Sequence, residues 1–243
     1  MVDERTEQYK AGLLIFCDCH LGQNAQLFYS KRAQNPYGKQ LAEEARLRRL
    51  AWLEKIDGLK EHERTLSLAD YKVGPHNRKA AEAVAAGIEQ GHGLITLWGP
   101  FGVGKTALMI AAVNAVRNQD RTAMYRTTAD MLAWLRAGFD QSQRDGEDFS
   151  YDKRWQMLVN ARCLALDEMT AFSVTPWAAE RFERLIDERW RSQRELLTIC
   201  AFNAAEEPEE GSSGLPGVVE SRLRDVRAQW INVGGMDMRR VRR

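Results

Sequence analysis

An α/β fold built on a parallel sheet is predicted by two features of this sequence. From Asn77 to Val233, strand-length apolar runs alternate with helix-forming segments, the pattern of strands joined by crossover helices. One of those runs, Leu94-Ile95-Thr96-Leu97-Trp98, passes directly into Gly99-Pro100-Phe101-Gly102-Val103-Gly104-Lys105-Thr106 and then into a helix-forming run, Ala107 to Val116. Strand, glycine-rich loop and helix in that order are the context that lends G-x-x-x-x-G-K-T its meaning.

The chemistry of that loop is phosphate binding. Its glycines let backbone N–H groups turn inward around a triphosphate, and the helix that follows adds the positive end of its dipole. The nucleotide-binding set is therefore Gly99, Pro100, Gly102, Val103, Gly104, Lys105, Thr106 and Ala107. Lys105 is expected to reach the β- and γ-phosphates of ATP, and the Thr106 hydroxyl to sit on Mg²⁺.

The remaining elements follow in chain order. Residues 1–75 are charged and lack strand-type alternation, and Val73-Gly74-Pro75 reads as the join to a nucleotide-binding domain over 76–243. Within the first region, Leu41, Ala45, Leu47, Leu50, Leu53, Ile56 and Leu59 approximate the apolar stripe of a helix from Leu41 to Leu59. Two readings stand for it: a solvated helix packed on its neighbour, or a helix that binds a partner. Asn77 to Glu89 reads as a helix and Leu94 to Trp98 as the first strand. Thr122 to Arg126 is a second strand, followed by a helix from Ala129 to Ala137 with Thr128 as N-cap. Asp140 to Ser150 is polar, and Cys163 to Leu166 is a third strand. Thr175-Pro176 has the capping hydroxyl and first-turn proline of a helix start, and that helix continues through Trp190. Leu196 to Phe202 and Gln229 to Val233 complete the strands, with a loop rich in Glu, Gly and Ser between them at Glu206 to Gly217.

Composition narrows the class. The 243 residues have room for one α/β domain and a shorter appendage. An apolar fraction of 44% and a charged fraction of 28% are ordinary for a soluble protein. No apolar run has the length of a membrane span, and Met1-Val2-Asp3-Glu4-Arg5 is not a signal peptide, so no membrane association and a cytoplasmic location are expected. With 35 basic and 34 acidic residues, any DNA contact must come from a local patch. Cys163 and Cys200 sit in apolar runs as small hydrophobes, which fits a reducing cytosol. Cys17-Asp18-Cys19-His20 crowds three soft ligands together, but a closed zinc site draws four ligands from two knuckles, and no second Cys pair is present.

A second set of residues completes an ATP site. Leu164-Ala165-Leu166-Asp167-Glu168 is an apolar strand ending in two acids. Asp167 has the place of the carboxylate in the Mg²⁺ shell, and Glu168 that of the base that polarises the attacking water. Thr198-Ile199-Cys200-Ala201-Phe202-Asn203 sets an amide at a strand tip, from which it can reach the γ-phosphate or the water. The predicted catalytic set is Lys105, Asp167, Glu168 and Asn203, joined by an arginine from Glu220-Ser221-Arg222-Leu223-Arg224. An arginine finger supplied in trans stabilises charge on the transferred phosphoryl group. Chemistry alone does not separate Arg222 from Arg224.

Together these motifs, with Gly93-Leu94-Ile95-Thr96-Leu97-Trp98-Gly99, Leu185-Ile186-Asp187-Glu188-Arg189-Trp190 and Ser221-Arg222-Leu223, resemble the AAA+ ATPases of the DnaC-type helicase loaders and their IstB-type transposition relatives. The resemblance covers Val84 to about Arg240. It implies a P-loop AAA+ parallel-sheet ATPase core with a small helical N-terminal region. It also implies that Arg222 is the finger entering a neighbour's site and that Arg189 is a subunit-interface arginine. Three departures matter, the first from AAA+ proteins at large rather than from this branch. Met238-Arg239-Arg240-Val241-Arg242-Arg243 follows closely on the fifth strand, so a full C-terminal lid, the small helical lid of most AAA+ proteins, is not expected, a lack that the loaders it resembles share. Cys17-x-Cys19 matches only the second of two Cys pairs. Ala201-Phe202 stands where relatives often carry Thr-Ser.

Three functions compete on this evidence. An ATP-hydrolysing loader would oligomerise on single- or double-stranded DNA and place a replicative helicase in DNA replication. An IstB-type ATPase would assemble on DNA and serve a transposase. Both would contact phosphates rather than read bases, with the Arg-rich end as one candidate patch. A small-molecule kinase is disfavoured, because two acids and an arginine-finger helix suit water attack and assembly. Residues 1–75 are expected to carry recognition of the partner.

Overall fold

The computed structural model describes residues 36–139, 150–170 and 175–237. They belong to two compact units that divide between Ile56 and Asp57. The first unit contributes helix α1 (Pro36–Ile56), which carries the surface pairs Arg46–Glu43 and Arg48–Glu44. The expected helix over Leu41 to Leu59 is thus shifted toward the N-terminus. Its stripe is not one continuous covered face, since Leu47 is exposed. Leu59 leaves the helix altogether and lies in the core of the second unit.

The second unit is a five-stranded parallel sheet of order β2-β3-β4-β1-β5 with helices on both faces. Its strands are β1 (Gly93–Gly99), β2 (Ala123–Thr127), β3 (Cys163–Asp167), β4 (Leu197–Asn203) and β5 (Gln229–Asn232). Helices α2 (Arg78–Gln90) and α3 (Lys105–Arg117) cover one face. The other face carries α4 (Thr128–Arg136), α5 (Tyr151–Asn160), α6 (Pro176–Arg191) and α7 (Gly217–Leu223). Because both faces are covered, the central strands β1, β3 and β4 are largely apolar and side chains sort by the two-residue period. Ile95, Leu97, Ala165, Ile199 and Ala201 point into the α2–α3 core, while Leu94, Trp98, Leu164, Leu166, Cys200 and Phe202 point into the other. Cys163 and Cys200 are buried free thiols, as the apolar runs around them predict.

Local signals set the helix starts. Thr175 Oγ1 accepts the Ala178 N–H and Pro176 occupies the first turn of α6, as expected. For α4 the cap is Thr127 rather than Thr128, with Thr127 Oγ1 accepting the Asp130 N–H at 3.0 Å. Helix α5, absent from the sequence reading, packs Trp155 and Leu158 inward.

The segment after Ile56 belongs to this unit, so the expected join at Val73-Gly74-Pro75 lies inside it. The reason is a buried charge cluster. The Asp57 carboxylate, wholly excluded from solvent, accepts Leu59 N at 2.8 Å, Arg64 Nε at 3.1 Å and Arg117 Nη1 at 3.0 Å. Asn114 Nδ2 donates to the carbonyls of Glu63 and Leu66 at 2.8 Å each. Arg117 and Asn114 are both on α3, so the segment is clamped to the helix that follows the glycine-rich loop. No described helix is long and apolar enough to cross a membrane.

Candidate active site

The carboxyl ends of β1, β3 and β4 converge, and three loops leave the sheet there. The register pairs Gly99, the last residue of β1, with Asn203, the last of β4. Gly99 has φ +152°, and a Cβ there would stand 2.1 Å from the Val233 carbonyl oxygen, so only glycine lets the strand end pass so close to the chain beyond β5. Gly104 then caps α3 from the left-handed region, at φ +99°.

Lys105 opens α3 and folds back under the loop. Its Nζ donates to the carbonyls of Gly99 at 2.7 Å and Pro100 at 2.8 Å, and to Asn203 Oδ1 at 3.0 Å. Sequence positions 98 apart are thereby joined through one ammonium group.

Asp167 is the second hub. Its Oδ2 accepts Thr106 Oγ1 at 2.6 Å and the Tyr125 hydroxyl at 3.0 Å, and its Oδ1 accepts the Glu168 N–H at 2.8 Å. The Thr128 hydroxyl, expected to cap a helix, donates instead to the Asp167 carbonyl at 3.3 Å. Burial, with the Asp167 carboxylate beside it, pushes the Tyr125 phenol far up, so it is a donor at any ordinary pH. Glu168 follows with φ +52°, a left-handed conformation that costs a non-glycine residue about 1–3 kcal/mol, and its side chain is exposed at the strand tip. Lys105, Thr106, Asp167 and Asn203 are therefore brought together, with Glu168 beside them at the end of β3.

The donors fit Mg²⁺. A hydroxyl and a carboxylate in contact are hard oxygen ligands, and Mg²⁺ takes only one or two carboxylates when phosphates complete its shell. Among the described residues no group of three or more His, Cys, Asp or Glu could cage a metal on its own.

Two further features border the loop. A cavity of about 190 Å³ lies beside it, lined by Leu66, Asp70, Tyr71, Val103 and Gly104 among others. Tyr71 is the close neighbour: its ring lies 3.2 Å from where a Cβ on Gly104 would stand. The sequence places Leu66 to Tyr71 in the N-terminal region of residues 1–75 and gives no sign of the cavity, since no motif marks it. The second feature is Asp237, whose Oδ1 would lie 1.9 Å from a Cβ built on Gly102. A carboxylate thus stands against the loop that is built to receive phosphate.

The arginines divide differently from expectation. Arg222 on α7 bonds Asp187 on α6 and stacks on Trp190, away from the Lys105–Asp167 cluster within one chain. Arg224 is tied to Glu220, to the Pro208 carbonyl and to the face of Trp230. Arg189 is a correction. Expected at a subunit interface, it is wholly buried, with its guanidinium donating to Thr198 Oγ1 at 2.8 Å and to the carbonyls of Val159, Ala161 and Leu197. Burial pulls its pKa down to about 10, which still leaves it charged at neutral pH. It pins the C-terminal end of α5 and the start of β4 to α6 and has no surface to offer a neighbour. Cys17, Cys19, His20 and the arginines after Met238 lie outside the described residues.

The family model for the IstB-like ATP binding proteins matches residues 21–203. No curated protein matches the chain. Among solved structures, AMPPCP-bound DnaA from Aquifex aeolicus aligns with a TM-score of 0.57 and 19% identity over 69% of this chain and 50% of its own. The DnaC helicase loader aligns with a TM-score of 0.56 and 18% identity over 72% of this chain and 100% of its own. DnaI gives 0.54 and 16% over 76% and 97%. At these identities the likeness is one of fold, a P-loop AAA+ core. The chain covers about half the length of the AMPPCP-bound DnaA structures it matches.

Proposed function

This chain belongs to the IstB-like ATP-binding protein family, and from that premise we propose that it is a Mg²⁺-dependent ATPase that oligomerises on DNA and places a replicative helicase there. The observation that carries the ATPase reading is the convergence of Lys105, Asn203, Thr106 and Asp167 at one end of the sheet, with Glu168 beside them.

Each residue has a distinct task. Lys105 exchanges loop carbonyls for β- and γ-phosphate oxygens when nucleotide enters. Thr106 and Asp167 would hold Mg²⁺, which neutralises charge on the phosphates when bound. Glu168, exposed at the strand tip, takes the proton of the attacking water, and Asn203 orients that water or the γ-phosphate. The cavity by Tyr71, which borders Val103, Gly104 and Ala107 of the loop and the helix it opens, would receive the nucleotide's base. Arg222 reaches a neighbouring subunit's nucleotide, so hydrolysis depends on assembly. Recognition of the helicase falls to the N-terminal region.

The loader reading is supported by the match to the DnaC helicase loader over that structure's full length. A second reading, an ATPase that serves a transposase, is favoured by the family's own description as IstB-like. One experiment separates them. The full chain, loaded with ATP and Glu168→Gln to hold the bound state, is presented with purified replicative helicase and with purified transposase. Capture of the helicase supports the loader; capture of the transposase alone replaces it with the transposition helper. Absence of Mg²⁺-dependent ATP turnover by the unaltered chain on DNA would remove both.

A further inference from the structure

Tyr125 lies outside every motif, yet its hydroxyl reaches the same Asp167 oxygen as Thr106 does. We propose that Tyr125 is a positioning residue for the metal-binding carboxylate, holding Asp167 in the orientation that receives Mg²⁺. The inference rests on the ATPase reading above and deepens it.

The geometry is specific. Tyr125 is the middle residue of β2, and its strand pairs in register with β3, Thr127 opposite Asp167 and Tyr125 opposite Ala165. Its backbone N–H donates to the Asp57 carbonyl at 2.7 Å, so the residue is anchored from both ends. The ring is buried in the α2–α3 core. From that fixed base the O–H meets Asp167 Oδ2 at 3.0 Å. The Glu168 N–H holds the other oxygen at 2.8 Å. The carboxylate is therefore gripped at both oxygens by groups that cannot rotate away.

The remaining donor, Thr106, is the one that changes its task. Its hydroxyl oxygen has lone pairs for a cation while its proton stays directed at Asp167. Without Tyr125, Oδ2 itself would be held by that one rotatable hydroxyl, with the Glu168 N–H left to hold Oδ1. Partners that orient a metal's ligands commonly change metal affinity by about 10- to 100-fold when removed.

The test uses the full chain with Tyr125→Phe, which keeps the ring and deletes only the hydroxyl. Mn²⁺ binding in the presence of AMPPCP is titrated by electron paramagnetic resonance, and AMPPCP affinity is measured separately in EDTA. The expected result is a rise of about 10-fold or more in the half-saturating Mn²⁺ concentration, with metal-free nucleotide affinity unchanged. A purely packing role predicts a lower melting temperature and unchanged Mn²⁺ affinity, and that result overturns the inference. Thr106→Ala is run beside it. If Thr106→Ala weakens Mn²⁺ binding and Tyr125→Phe does not, Tyr125 has no positioning role. If neither does, the metal site itself is misassigned and the inference falls with it.

Discussion

Arg222 and Asp187 form an ion pair between α7 and α6, with Arg222 Nε 3.0 Å from Asp187 Oδ1. The same guanidinium lies 4.1 Å from the centre of the Trp190 ring, and Arg227 lies over that ring at 4.8 Å. Within one chain the expected finger is therefore stowed. The hold is weak enough to release: a part-exposed ion pair is worth about 0.2–1 kcal/mol and a cation–π contact about 0.5–1 kcal/mol. An arginine finger contributes a factor of about 10³ or more to turnover, roughly 4 kcal/mol in the transition state, so a finger role for Arg222 would outweigh the stowed contacts at that point of the reaction.

Arg222→Ala should lower DNA-stimulated ATP turnover by about 10³-fold while leaving nucleotide affinity unchanged. A finger that acts between chains predicts that mixing Arg222→Ala with Lys105→Ala chains restores some turnover, since certain interfaces then combine an intact site with an intact finger. Mixed oligomers with no recovery would place Arg222 outside the reaction.

Lys105→Ala and Glu168→Gln should fail at different stages. The first removes the cation that meets the β- and γ-phosphates, so binding of a fluorescent ATP analogue should be lost. The second keeps shape but not basicity, so binding should persist while turnover falls by about 10²-fold or more. Glu168→Gln turning over at the parent rate would reassign the base.

Asp237→Asn should tighten ATP binding several-fold. A carboxylate against Gly102 opposes the charge of an incoming triphosphate; two like unit charges about 4 Å apart cost about 1 kcal/mol even with the full screening of bulk water, which is already several-fold in affinity. Isothermal titration with AMPPCP at low and high salt is the measurement: the gain should shrink as salt rises. Equal affinities at low salt would show that Asp237 swings clear before nucleotide enters.

Arg189→Ala should behave as a folding defect. It strands the carbonyls of Val159, Ala161 and Leu197 and the Thr198 hydroxyl in a dry interior, a loss of about 3–5 kcal/mol in denaturant unfolding. An unchanged unfolding midpoint with lost oligomerisation would instead restore the interface role.

Much of this architecture could be read from the chain alone because it rests on local chemistry. The glycine-rich loop works through adjacent backbone groups, the Thr175-Pro176 helix start through a hydroxyl and a fixed φ, and the buried strands through unbroken apolar runs. Asp167, Glu168 and Asn203 were legible for a related reason: in a parallel sheet the residue that ends a strand is the residue at the site, so strand ends give their own address. What folding alone decided has no local signature. Nothing around Tyr125 indicates that β2 beside β3 brings its hydroxyl to Asp167. Arg189 sits in a charged, amphipathic helix whose sequence is equally compatible with a surface, and only the packing of α6 over β3 and β4 turns it inward. Asp57 and the stretch to Tyr71 read as part of the N-terminal helical region because their partners, Asn114 and Arg117, are some fifty to sixty residues away on α3. Backbone conformation and burial follow from near neighbours along the chain; the partner of a buried charge or hydroxyl is set by which elements the sheet order places side by side.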